Sequence, residues 1–181
     1  MVIDAFAAAS RANSCTVHGP VTREGAAAAI ATIAMDASDG GTIAVADADP
    51  ALRGLTLVDA LQDLGCTVIT PLAPDWLRGL TRATTGVTGA LLGVAEQGVV
   101  ALAAGRDSPR AASLLPASHV CVVFTDTVLA TFAAAVEAVA GVPLPSALTW
   151  VGGPSRTGDL EMIQTLGVHG PKTVHMVLVE P

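Results

Sequence analysis

The sequence predicts a three-layer α/β domain whose central sheet is mostly parallel. Helix-period segments and short apolar runs alternate along most of the chain, the order that lays helices over a parallel sheet. Of the 181 residues 51% are apolar, but alanine supplies much of that figure and aromatics only 3%. Small side chains of this kind favour helices packed closely on a sheet. At this length folding buries roughly 70% of the unfolded chain's surface, so a full core needs no disulfide or metal staple.

The elements follow in order. Residues 1–20, with Asn13, Ser14, Gly19 and Pro20, read as a loose arm or a fraying first helix. Thr22 caps a helix from Arg23 to about Ala37, ended by Gly40-Gly41. Thr42 to Ala46 is a short buried strand, followed by a turn at Asp47, Asp49 and Pro50. Leu55, Leu57, Val58, Leu61 and Leu64 recur at helical spacing, and Gly65 stops that helix. Cys66 to Thr70 reads as a strand and Asp75 to about Arg82 as a helix. Leu91 to Ala95 and Val99 to Ala103 form two strands around the turn Glu96-Gln97-Gly98, an antiparallel excursion. Residues 105–118 form a polar loop. His119 to Phe124 is a strand, Thr125 to Ala140 a helix, Ala147 to Val151 a strand, Asp159 to Leu166 a helix and Thr173 to Val179 a last strand. The whole chain, residues 1–181, reads as one domain.

Composition excludes several classes. A net charge of −7 argues against a general nucleic-acid binder, which needs a basic face. The longest apolar tract, Val128 to Val151, is interrupted by Glu137, Gly141, Pro143 and Pro145, so no membrane span is expected. Asp4 lies among the first apolar residues with no basic region before them, and a secretory signal is not expected. Cys15, Cys66 and Cys121 form no C-x-x-C pair, so iron–sulfur and zinc ligands are lacking, and reduced thiols point to the cytoplasm. Neither iron, zinc nor flavin is expected as a cofactor.

The reactive residues are concentrated in two segments. In Trp150 to Lys172, a strand runs through Gly152-Gly153-Pro154 into Ser155, Arg156 and Thr157. The hydroxyls, the backbone N–H groups at a helix start and the planar fork of Arg156 suit a carboxylate or phosphate. The same pattern fits a plain helix cap, with Asp159 and Glu161 offsetting the macrodipole. Next, Gly167-Val168-His169-Gly170-Pro171-Lys172 is a tight turn that aims His169 outward as a proton donor or acceptor, with Lys172 as a charge clamp. The alternative is a turn whose histidine bonds a neighbouring carbonyl. Arg156 and Lys172 are expected to hold one small anion together, since an acidic chain needs a local positive pair for that.

In the earlier segment, Glu96 is the sole charge between Arg82 and Arg106. It is either paired or raised in pKa, and a raised carboxylate suits general acid–base or nucleophilic work. An exposed turn residue is the plain alternative. Arg106, Arg110 and Ser113 lie in the long loop, where binding groups are often found. His119 reads as a structural hydrogen bonder, and His18 and His175 are not metal candidates. The motif loops are expected to converge at one edge of the sheet, where open α/β sheets bind ligands beyond their strands' carboxyl ends.

The strings G-G-P-S-R-T-G-D-L-E and L-G-V-H-G-P-K, with A-E-Q-G-V-V-A-L (Ala95 to Leu102) and S-L-L-P-A-S-H-V (Ser113 to Val120) before them, resemble the LUD-domain (lactate utilisation) family in its LutC-like subgroup. The likeness covers about residues 84–181 in four ordered motifs. It implies a NagB/RpiA/CoA-transferase-like fold, and a role beside iron–sulfur partner proteins in a cytoplasmic system that oxidises L-lactate to pyruvate. It places Glu96, Ser155, Arg156, Thr157, Asp159, Glu161, His169 and Lys172 on family motif positions. Gln97 and Val99 depart from the family's hydroxyl residues at that turn. Two other classes stay open. One is a stand-alone enzyme on a small phosphorylated or carboxylated metabolite or a CoA thioester, with Glu96 as base or nucleophile. The other is a non-catalytic assembly subunit.

Overall fold

The computed structural model describes residues 1–71, 73–105, 108–141, 143, 145–158 and 164–181. In chain order the elements are α1 (Val2–Ala12), β1 (Thr16–Val21), α2 (Arg23–Ser38), β2 (Thr42–Val45), α3 (Leu57–Asp63), β3 (Val68–Ile69), α4 (Trp76–Leu80), β4 (Ala83–Gly89), β5 (Leu92–Val94) and β6 (Val99–Ala104). Then come α5 (Ala111–Leu114), β7 (Ser118–Phe124), a 3-10 turn (Thr125–Thr127), β8 (Val128–Leu129), α6 (Phe132–Ala140), β9 (Ala147–Val151), β10 (Arg156–Gly158), β11 (Gln164–Leu166) and β12 (Thr173–Val179).

Six strands form the central sheet in the order β1-β12-β7-β4-β2-β3, every neighbouring pair parallel. A strand buried on both faces reads as a nearly continuous apolar run, and β7 does so from Val120 onward: Val120, Val122 and Phe124 pack toward α2 and α3, while Cys121 and Val123 pack toward α1. On the second face lie α1, a four-stranded sheet β8-β5-β6-β9, and, beside Ala44 of β2, helices α4 and α5. Helix α6 packs on the second sheet through Ala135 and Val139. The result is a three-layer α/β fold. No described helix is long and apolar enough to cross a membrane.

Three local expectations change, and one strand, at residues 83–89, is new. Residues 1–20 are not a loose arm: Phe6 of α1 is fully buried, and β1 pairs along β12. The stretch 83–89 shows no apolar run, yet β4 is a central strand. It uses small residues because α5 presses its backbone onto it, and a Cβ at Gly86 would lie 1.8 Å from the Ala112 carbonyl oxygen. The helix expected from Thr125 starts only after Thr131, whose hydroxyl accepts from Ala134 N–H. Val128 and Leu129 instead pair with β5, as β-branched and apolar residues beside an open edge do. Finally, Gln164–Leu166 is a strand and not helix, antiparallel to Arg156–Gly158 with Thr157 opposite Thr165, a cross-strand pair that favours sheet. Asp159 and Glu161 lie outside the described residues.

Candidate functional site

The two glycine strings meet at the amino ends of β7 and β12. Each is anchored on a fixed element, the first leaving β9 and the second leading into β12, and Ser155 is the knot between them. Its N–H donates to the Pro171 carbonyl at 2.9 Å, its carbonyl accepts from Gly167 N–H at 2.8 Å, and its hydroxyl accepts from His169 N–H at 3.4 Å. Lys172 N–H then donates to the Ala117 carbonyl at 2.7 Å, seating the loop beside the start of β7. Glycine is required where the chains touch. Gly153 has φ +148°, and a Cβ there would lie 2.3 Å from the Asn13 carbonyl oxygen.

These loops border a cleft of about 200 Å³. Ser155, His169 and Gly170 form its polar side, while Trp150, Val151 and Val174 give an apolar wall. Gly152 and Gly153 also border it. His119 lies at its floor, only 1% exposed, with Nε2 in a 2.9 Å hydrogen bond to the Thr88 hydroxyl. Its Nδ1 has no hydrogen-bond partner among the described residues. Burial, helped by His175, drives its pKa down to about 4, so the ring is neutral at pH 7. His169 is exposed at the rim.

The remaining expected site residues lie elsewhere. The Arg156 guanidinium donates to the Asn13 carbonyl at 3.1 Å and to the Ser14 hydroxyl, tying the α1–β1 turn to the motif. Thr157 sits in the β10–β11 hairpin. The stem of Lys172 lies against Gly167. Arg156, Thr157 and Lys172 do not line the cleft, and Arg106 lies outside the described residues. Glu96 is exposed and accepts from the Phe132 N–H at 2.9 Å and from the Gln97 amide, which makes it a cap on α6. The first of these bonds holds its pKa below the usual carboxylate value, the reverse of the raised value that acid–base work would need. It does not line the cleft either; Asn13, which donates to the Gln97 carbonyl at 2.7 Å, stands between the two motifs.

The expected convergence beyond the strands' carboxyl ends is also corrected. The second string precedes a parallel strand, and the first follows β9, which belongs to the other sheet. Both therefore fall at the amino ends. The carboxyl ends hold a larger cavity, about 360 Å³, bordered by Arg23, Asp49, Gly89, Phe124 and Asp126. These residues do not stand out in the sequence as site candidates. The available signal was the D-A-D-P turn directly after a parallel strand, where such sheets place ligands. Among the described residues no group of three or more His, Cys, Asp or Glu is placed to hold a metal ion.

A model of the family described as LUD domain matches residues 3–179. The chain is similar to a protein named lactate utilization protein C from Deinococcus radiodurans, 39% identical over 102 residues, which are 55% of this chain and 48% of that protein. It is also similar to the protein of the same name from Bacillus subtilis, 32% identical over 103 residues, 54% of this chain and 43% of that one. The chain thus spans about half the length of the curated relatives it matches. The crystal structure of a DUF162 family protein from Deinococcus radiodurans superposes with a TM-score of 0.71 at 24% identity, over 98% of this chain and 96% of that one.

Proposed function

The chain belongs to the LUD domain family, and on that premise we propose that it serves a lactate-utilisation system by holding a small 2-hydroxy or 2-oxo carboxylate in the amino-end cleft. The observation that carries this reading is the joining of the two glycine strings at Ser155, which leaves a hydroxyl and the His169 ring on one side of a cleft with an apolar wall. A three-carbon acid has the matching chemistry. Its carboxylate takes hydrogen bonds from Ser155 and His169, each worth about 1.5–3 kcal/mol when charge-assisted. Its methyl group lies on Val151 and Val174. A lactate hydroxyl can partner the orphaned Nδ1 of His119, and His169 is the group that takes up or returns a proton. Oxidation of lactate to pyruvate releases two electrons and two protons. In this reading the electrons go to iron–sulfur partner proteins in the cytoplasm. Glu96 has no part in it, because its carboxylate is committed to capping α6.

The test is calorimetric titration of the protein with L-lactate and with pyruvate. Saturable binding, weakened tenfold or more by Ser155→Ala and by His169→Asn, is expected. A folded wild-type protein that binds neither acid would refute the reading.

A further inference from the structure

The cavity at the opposite end of the sheet lies at a switch in chain direction. After β2 the chain turns through Asp49, Pro50 and Ala51 toward the face that carries α2 and α3, where Leu52 and Leu55 are buried. After the neighbouring strand β4 it turns through Ala90 toward the other face, the one that carries α1. Adjacent connections that leave to opposite faces open a crevice between their strands' carboxyl ends, the place where open α/β sheets take ligands.

Three chemically different groups meet in this crevice. Arg23, at the start of α2, lies 5.0 Å over the Phe124 ring, which orients its fork while leaving the side chain exposed. Asp49 is 6% exposed, and its carboxylate accepts from Ala51 N–H at 3.0 Å and from Gly89 N–H at 3.3 Å. Gly89 permits that approach, since a Cβ there would lie 2.8 Å from Asp49 Oδ1. Ser108 supplies a third donor, and a carboxylate with about four acceptor positions keeps capacity for a ligand. Leu91, Ala90 and Ala103 form apolar walls, and Asp126 stands exposed at the mouth.

We propose that this cavity is a second binding site, for a ribonucleoside monophosphate unit, free or carried by a larger molecule. The phosphate lies on Arg23, the ribose hydroxyls or base amino group donate to Asp49 and Asp126, and the base packs on Leu91, Ala90 and Ala103. Size supports the assignment: about 360 Å³ is within the range that encloses a ligand of this kind and much more than a three-carbon acid fills. This site stands on observations separate from the lactate reading.

Adenosine 5′-monophosphate is the probe, titrated calorimetrically beside adenosine, inorganic phosphate and L-lactate. The nucleotide is expected to bind at least tenfold more tightly than adenosine or phosphate alone. Arg23→Ala, at an exposed side chain, is expected to weaken it tenfold or more in protein that remains folded, and Asp126→Asn severalfold. Ser155→Ala is expected to leave nucleotide binding unchanged while it weakens lactate. Failure of the folded wild type to bind the nucleotide, or equal binding by Arg23→Ala and Asp126→Asn, would overturn the proposal whatever lactate does.

Discussion

At the amino ends of β7 and β12 the cleft is made from two continuous sequence strings, joined mainly by backbone hydrogen bonds at Ser155. At the carboxyl ends the cavity takes side chains from several separate connections, after β1, β2, β4 and β7. Among the described residues that border it, the first region has no carboxylate, lysine or arginine, and glycines shape it. Among the described residues that border it, the second sets one guanidinium against two aspartate carboxylates, one of them buried. A backbone-built cleft depends on conformation, so it fails when a glycine gains a side chain. A side-chain-built cavity depends on charge and tolerates exposed substitutions structurally while losing its ligand chemistry.

The largest expected effects come from the glycines that shape each region. Gly153→Ala forces a Cβ to within 2.3 Å of the Asn13 oxygen at φ +148°. Combined strain and overpacking should cost about 3 kcal/mol of unfolding free energy in urea titrations. Gly89→Ala should cost about 2 kcal/mol by crowding Ala51 and Asp49 at an otherwise ordinary backbone angle. If Gly89→Ala proved the costlier of the two, the contrast between a backbone-built and a side-chain-built region would fail.

Acid should act on the two regions with opposite sign. His119 is held neutral, its pKa about 4 in the folded protein against 6.5 unfolded. The unfolded chain therefore takes up the proton first, and stability falls as pH drops from 7 through 6.5 toward 4. By linkage the loss between pH 7 and pH 5 is about 2 kcal/mol. His18 and His175, hydrogen-bonded to each other at 3.2 Å and also lowered by burial, act in the same direction. Asp49 is raised, so the native state takes its proton first and stability is regained as pH falls through that raised value toward 3.8. Melting curves across pH 7 to 4 should show a shallower acid loss in His119→Gln and a steeper one in Asp49→Asn. The same slope in both variants would show that neither group is the source.

The smallest expected effect is at Arg156, whose fork holds Asn13 and Ser14 at the protein surface. Arg156→Ala should cost about 1 kcal/mol, with Arg156→Lys intermediate, because lysine keeps the charge and loses the planar pair of donors. Lactate affinity should change less than threefold. A large loss of affinity with unchanged stability would return Arg156 to the ligand site.

Much of the fold was legible because its signals are local. Ala147–Val151 and Thr173–Val179 are largely apolar strands with turn residues on both sides, and the Glu96-Gln97-Gly98 turn joins antiparallel strands as its glycine suggests. What escaped depends on partners distant in sequence. Ala83–Gly89 lacks an apolar run, and Gly86 is there because α5 lies on it. Val128–Leu129 leaves a helical pattern because β5 offers an edge. The site divides in the same way. The glycine strings were visible as strings, but their position before a parallel strand, and the commitment of Glu96 and Arg156 to other contacts, follow from tertiary packing. Arg23, Asp49 and Asp126 share no string at all; only the sheet brings them together.

The central claim, that the small carboxylate sits at the amino-end cleft, is tested most directly by mapping backbone-amide NMR shifts of the folded protein on titration with L-lactate. The account predicts that the largest changes fall on Ser155, His169 and Gly170, with Ala51 and Gly89 still. Changes centred on Ala51 and Gly89, or on the Glu96–Gln97 turn, would contradict it.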